Sequence, residues 1–267
     1  MAFFDAGGTD IHYRANASRG TPILFLHGLA CGARMWVHQL RAFADTAHVI
    51  AIDFPGHGRS ASLATCSEQQ LADITVRLLD HLGIARAVLV GLSMGGGVAL
   101  ATAITHPERV LGLLVADAGS GSDNPPAARA QALEMARFTR AAGIAEFATR
   151  MAASPVAGSY ARQGARARRH LLALLHDNDP AGIAAVIEGV QAARPPMQDR
   201  ALEKIAAPTT ILVGAEDHGC LAPSRHAARA IAGAELVVLP GVGHMSALEA
   251  PARFNAVLAA LLRRIAT

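Results

Sequence analysis

Three side chains in this sequence have the types and settings that acyl-transfer chemistry requires: Ser93, Asp217 and His244. Ser93 lies in residues 87–97, AVLVGLSMGGG, where a β-branched apolar stretch meets a serine with glycine at both second neighbours, Gly91 and Gly95. A serine hydroxyl is a weak nucleophile unless it is exposed, close to a base and beside donors that can hold an oxyanion. A sharp strand-to-helix turn provides the exposure, and the flanking glycines remove Cβ atoms where the chain passes itself. The helix opening at that turn aims the Met94 amide at the place where negative charge would develop, aided by the positive end of the helix dipole. Asp217 ends the run TTILVGAED, and His244 sits in PGVGHM after the apolar run Glu235–Leu239. A neutral imidazole can take the hydroxyl proton and return it to a leaving group, while a carboxylate fixes its tautomer. Glu216, beside Asp217, and Asp117, after the apolar run 111–116, are alternative acids.

Such groups must be held by a scaffold. Apolar, β-branched runs predict strands at 23–26, 48–52, 87–90, 110–115, 210–213 and 236–239, with helical stretches between them. The clearest helix opens at Ser67, which forms a capping-box pattern with Gln70 and continues with Leu71, Ile74, Leu78, Leu79 and Leu82 on one face. Strict alternation predicts an α/β fold with parallel strand pairing, right-handed crossovers and helices on both faces of the sheet. Ligands bind at the carboxyl ends of strands in such sheets, where all the candidate residues fall. Residues 1–14 read as two short strands around the Gly7–Gly8 turn. The alternation breaks between about 120 and 204, an alanine-rich helical stretch interrupted by Pro125, Pro126, Pro155, Pro180, Pro195 and Pro196. His27 and His57, in glycine turns, read as loop-bracing residues, as does an Asp53–Arg59 pair, and an Asp217 that merely caps a helix after Pro223 is the duller reading of that acid.

The chain order Ser93, Asp217, His244, together with the GxSxG turn, resembles the α/β-hydrolase superfamily, in particular its esterase and 3-oxoadipate enol-lactonase-like branch. Three further segments fit: His27–Gly28 after the strand at 23–26 is similar to the family's oxyanion loop, DFPGHGRS (53–60) to the turn after the next strand, and GHMSALEAP (243–251) to its histidine loop. The resemblance implies an α/β-hydrolase fold with core segments 1–119 and 205–267 and a helical cap over 120–204. It also implies a second oxyanion donor, the amide of Leu29, paired with Met94. The implied activity is hydrolysis of a small carboxylic ester or lactone through an acyl-enzyme, without cofactor or metal. An enol-lactonase-like lactone hydrolase and a cofactor-free perhydrolase are the neighbouring readings, and a ligand-binding receptor on the same fold is a reading of another class.

Composition restricts the alternatives. In 267 residues, 52% hydrophobic with alanine contributing heavily, no apolar run reaches the length of a membrane span. The N-terminus carries Asp5 early and has no basic-then-apolar leader pattern, so a cytoplasmic protein is expected. Cys31, Cys66 and Cys220 form no disulfide framework and read as free thiols. Residues 120–200 contain ten arginines against seven acids, an excess equal to the net charge of +3 of the whole chain. Arg162, Arg166, Arg168 and Arg169 cluster most tightly, as a solvated helix face would, although a cap arginine would suit a substrate carboxylate. With one Trp and two Tyr there is little for bases to stack on, so a small-molecule substrate is expected rather than nucleic acid.

Overall fold

The computed structural model describes residues 2–17 and 20–266. Eight strands form one sheet: β1 (Ala2–Asp5), β2 (Asp10–Ala15), β3 (Thr21–Leu26), β4 (Ala47–Ile52), β5 (Ala87–Leu92), β6 (Val110–Ala116), β7 (Thr209–Gly214) and β8 (Glu235–Leu239). Their order is β1-β2-β4-β3-β5-β6-β7-β8. The N-terminal hairpin strand β2 joins β4 antiparallel, and every pairing from β4 to β8 is parallel. The predicted strands match these spans to within about a residue at most ends.

Helices α1 (Val37–Phe43), α2 (Glu68–His81), α3 (Met94–Thr105), α8 (His218–Ala230), α9 (Ser246–Glu249) and α10 (Pro251–Ala266) flank the sheet, while α4 (Pro125–Ala153), α5 (Pro155–Ala161), α6 (Ala165–His176) and α7 (Pro180–Val186) lie between β6 and β7. The strand period of two sends alternate residues to opposite layers. Ile23 and Phe25 join Trp36, Phe254, Leu258 and Leu261 on one side, whereas Leu24 and Leu26 join Leu71, Leu78, Leu79 and Val98 on the other. Both layers are closed, as a parallel sheet requires. The Ser67 capping box is present in full: its hydroxyl accepts from the Gln70 amide, and the Gln70 side chain accepts from the Ser67 amide, an arrangement worth about 1 kcal/mol.

Of the prolines read as interruptions between 120 and 204, Pro125, Pro126, Pro155 and Pro180 lie at helix starts, whereas Pro195 and Pro196 sit in the irregular segment before the short turn Met197–Asp199. Pro125, Pro155 and Pro180 each occupy a first turn, where a missing N–H costs nothing. Asn124, Ser154 and Asp179 precede them and accept hydrogen bonds from the amides of Ala127, Ala157 and Gly182. The long α4 is broken at Gly143, whose φ of 80° leaves the helical region. No strand interrupts these helices, and they supply much of one wall of the cavity described below.

Candidate active site

Ser93 follows the last residue of β5 and precedes the first of α3, with φ 55° and ψ −112°, a backbone conformation that a residue bearing a Cβ adopts only under strain. Its neighbours show why the turn needs glycine. A Cβ on Gly91 would lie 2.2 Å from the Gly95 carbonyl oxygen, and one on Gly95 would lie 2.0 Å from that of Leu26. The turn therefore packs directly on the end of β3, the strand that leads into His27, Gly28 and Leu29. A Cβ on Gly28 would stand 3.6 Å from Cβ of Ser93, so the Leu29 loop runs beside the serine. Met94 opens α3 on the other flank, where first-turn amides have no helical acceptor.

The acid and the histidine come from the ends of β7 and β8. Gly214 closes β7, and a Cβ there would meet the carbonyl oxygens of Gly243 and Val242 at 2.2 and 2.3 Å. That contact draws the two loops together, and Asp217 Oδ2 lies 2.7 Å from His244 Nδ1. Asp217 precedes α8 without capping it by its side chain, and α8 starts at His218 with Pro223 inside it, so the capping role after Pro223 does not exist. Of the other acids, Glu216 is exposed and, among the described residues, makes no hydrogen bond to His244. Asp117 is fully buried beneath the site, where it accepts from the amide of Gly214 at 2.9 Å and from the Ser246 hydroxyl, bracing the acid and histidine loops from below.

Electrostatics separate the histidines. Burial opposes a charge on His244, but the hydrogen bonds to Asp217 and Cys220 outweigh it and hold the imidazole well above its ordinary pKa. His27 and His57 carry no such partner; burial pulls them down to about 4 and about 3, so both are neutral. They brace loops as expected: His27 Nδ1 bonds the Gly28 carbonyl at 2.8 Å and Nε2 accepts from the Phe54 amide at 2.9 Å, while His57 Nδ1 donates to the Pro55 carbonyl. Asp53 is likewise structural, accepting from the amides of Ala33 and Arg59 and pairing with His12 Nδ1 at 2.7 Å. Burial pushes the Asp117 carboxyl up to about 7. Cys220, 3.8 Å from His244 Nδ1, is a buried thiol raised by desolvation to about 11; Cys31 and Cys66 are also free and buried.

Asp217, Cys220 and His244 present donor atoms within 4.8 Å of one another. Two ligands of one tetrahedral zinc ion, with bonds near 2.0–2.1 Å, keep roughly 3.3 Å between them. The 2.7 Å contact between Asp217 and His244 is instead that of a carboxylate and an imidazole sharing a proton.

Ser93 and His244 line one cavity of about 260 Å³, together with Gly28 and Leu29. Its walls are mainly apolar, with Met135, Leu171 and Ile187 contributed by the helices inserted between β6 and β7. One residue with a direct hold on the histidine loop escaped the sequence reading. Glu249, at the end of α9, accepts from the amides of Gly243 (2.9 Å) and Met245 (3.0 Å), on either side of His244, and from the Ser159 hydroxyl of α5 (2.7 Å). The only sign of it in the sequence is an acid five residues after the histidine.

Fold and site together define a class. Residues 23–257 match the model of the alpha/beta hydrolase family, and the chain belongs to that family of hydrolases. A thermophilic esterase from Thermogutta terrifontis superposes with a TM-score of 0.88 at 29% identity, covering 97% of this chain and 95% of its own. The enol-lactonase of Burkholderia xenovorans superposes with a TM-score of 0.84 at 26% identity, covering 98% and 100%. The dihydrolipoyllysine-residue acetyltransferase component of the acetoin cleaving system of Cupriavidus necator is 31% identical over 96% of this chain. The chain spans about two thirds of such components, 67% of that protein and 64% of its counterpart in Pseudomonas putida. Among the described residues, no helix is long and apolar enough to cross a membrane.

Proposed function

We propose that this hydrolase cleaves a small carboxylic ester or lactone through an acyl-enzyme on Ser93. The observation that carries the reading is the 2.7 Å bond between His244 Nδ1 and Asp217, in a histidine that lines the same cavity as a serine held at φ 55°. With Nδ1 on the carboxylate, Nε2 is the nitrogen left to accept a proton. Ser93 Oγ attacks the carbonyl carbon as its proton passes to His244 Nε2, and the carbonyl π electrons move onto oxygen. The amides of Leu29 and Met94 receive that oxyanion. Collapse of the tetrahedral intermediate breaks the bond to the leaving alkoxide, which takes the proton from His244; in a lactone the leaving group stays tethered to the acyl chain. Water, deprotonated by His244, then attacks the acyl-enzyme, and its proton returns to Ser93 Oγ as the acid departs. Asp217 remains ionised throughout and stabilises the imidazolium.

The largely apolar cavity suits a short acyl chain, and the likeness to an esterase and an enol-lactonase supports both substrate classes. The test is turnover of short-chain p-nitrophenyl esters and of small lactones. Ser93→Ala is expected to abolish hydrolysis, by about 10⁴-fold or more, while leaving the melting temperature unchanged or higher, since the strained turn loses only a hydroxyl. Hydrolysis by Ser93→Ala at the wild-type rate would end the proposal. Labelling of Ser93 by a fluorophosphonate without any turnover would favour the ligand-binding receptor.

A further inference from the structure

The ten arginines in 120–200 differ in exposure, and only two are withdrawn from solvent: Arg194 and Arg200. The tight cluster Arg162, Arg166, Arg168 and Arg169 is exposed throughout, a solvated face. Arg200 is neutralised by a fork of two hydrogen bonds to Glu68, at 2.9 and 2.8 Å. Arg194 is not neutralised. It donates to the Gln191 side-chain oxygen at 2.8 Å and to the Ser120 carbonyl, both uncharged acceptors, and among the described residues no carboxylate stands within ion-pair distance of it. Of the described side chains lining the Ser93 cavity, Arg194 is the one with a permanent charge.

A partly buried cation without a counter-ion is costly, and burial draws the Arg194 guanidinium below its ordinary pKa. The backbone holds it there regardless. Ahead of it, Ile187–Gln191 widens into a π-helical turn, a feature frequent at functional sites. Gly189 in that turn is pressed so closely on Cys66 that a Cβ would lie 1.7 Å from the Cys66 carbonyl oxygen. The turn is thus fixed against the core, and Gln191 and Arg194 are presented to the cavity from it.

We infer that Arg194 receives a carboxylate carried by the substrate, so that the ester or lactone cleaved at Ser93 is itself an acid. The inference rests on the hydrolase reading of that site. One guanidinium with N–H groups to spare after its bonds to Gln191 and Ser120 matches a singly charged carboxylate. A phosphate monoester would bring a second negative charge that no cavity residue balances.

The experiment compares monomethyl succinate, glutarate and adipate with methyl alkanoates of equal chain length, followed in a pH-stat. The wild type is expected to prefer at least one of the anionic esters. Arg194→Gln is expected to lower the ratio of kcat/KM for that ester to kcat/KM for its neutral partner by about 10- to 100-fold, mainly through KM, with Arg194→Lys intermediate. An unchanged ratio, or no anionic preference in the wild type, overturns the inference while leaving the hydrolase reading intact. Binding provides a readout independent of turnover: glutarate should raise the melting temperature of Ser93→Ala, and should fail to do so once Arg194→Gln is added. If no ester is hydrolysed and Ser93 resists a fluorophosphonate, the hydrolase reading falls, and the glutarate shift alone decides whether Arg194 is an anion site; an equal shift in both variants overturns it.

Discussion

Gly95→Ala tests whether the Ser93 turn, the proposed nucleophile turn, is seated on the end of β3. The added Cβ would lie 2.0 Å from the Leu26 carbonyl oxygen, 2.5 Å from its carbon and 2.8 Å from the His27 oxygen. Non-bonded carbon–oxygen contacts begin near 3.3 Å, so the first turn of α3 and the end of β3 must separate by about 1.3 Å. Neither can give way cheaply, because β3 is paired on both edges, with β4 and β5, and α3 is buried along most of its length. The two segments forced apart carry the Leu29 and Met94 amides. A displacement of that size would move one of these proposed oxyanion donors out of reach, which costs about 10²- to 10³-fold in kcat, and the overpacking costs about 1–3 kcal/mol or more. The assay is steady-state hydrolysis of a short-chain p-nitrophenyl ester alongside thermal unfolding. Gly219→Ala in α8 is the comparison: its Cβ would meet only the Ser120 side chain, the hydroxyl at 3.3 Å and Cβ at 3.8 Å, and the change should cost no more than about threefold in kcat. A Gly95→Ala enzyme with wild-type kcat and melting temperature would refute the packing on which the proposed oxyanion hole depends.

Three further outcomes are expected. Because the bonds to Asp217 and Cys220 hold His244 above its ordinary pKa and the proposed base must be neutral to act, the acidic limb of the kcat/KM profile should lie above pH 6.5; Asp217→Asn should move it to lower pH and cut kcat about 10³- to 10⁴-fold. Glu249→Gln puts an NH₂ among the Gly243, Met245 and Ser159 donors, and urea titration should show a loss of about 1–3 kcal/mol, with kcat falling more than KM rises as the histidine loop loosens. Asp117, raised from 3.8 to about 7, favours folding in its neutral form: that contribution is whole below pH 3.8 and is lost as pH rises through about 7. Asp117→Asn mimics the neutral carboxyl, so its stability relative to wild type, from denaturant titrations, should improve as pH rises from 5 to about 7 and level off above that; a constant difference across this range would contradict the buried-carboxyl reading.

The parts of the molecule legible in the sequence are those set by local patterns. Ser93 was readable because its turn needs glycine at fixed offsets, and the strands because buried parallel pairing demands short apolar runs. Asp217 and His244 were readable as residues closing such runs. What was not readable depends on which distant segments meet. A carboxylate after β6 and one after β7 look alike in sequence; it is the close approach of Gly214 to the Gly243 carbonyl that puts Asp217 on His244 and leaves Asp117 underneath, tied to Ser246. Prolines were read as breaks because the side chains ahead of them, Asn124, Ser154 and Asp179, declare their capping role only once the helix is formed. Glu249 holds the nearby amides of Gly243 and Met245 together with the Ser159 hydroxyl, ninety residues away along the chain, and no apolar period or turn pattern marks an acid for that task. Charge counting pointed to the exposed arginine cluster and passed over Arg194, whose significance lies in being withdrawn from solvent without an acidic partner.

The proposed chemistry is tested most directly by the site of the covalent intermediate. Acid-quenching the protein during steady-state turnover of a short-chain ester, followed by peptide mass spectrometry, should place the acyl group on Ser93, and Asp217→Asn should slow its appearance. Turnover with the acyl group on one of the cysteines, or a Ser93 peptide that stays unmodified while ester is consumed, would contradict it.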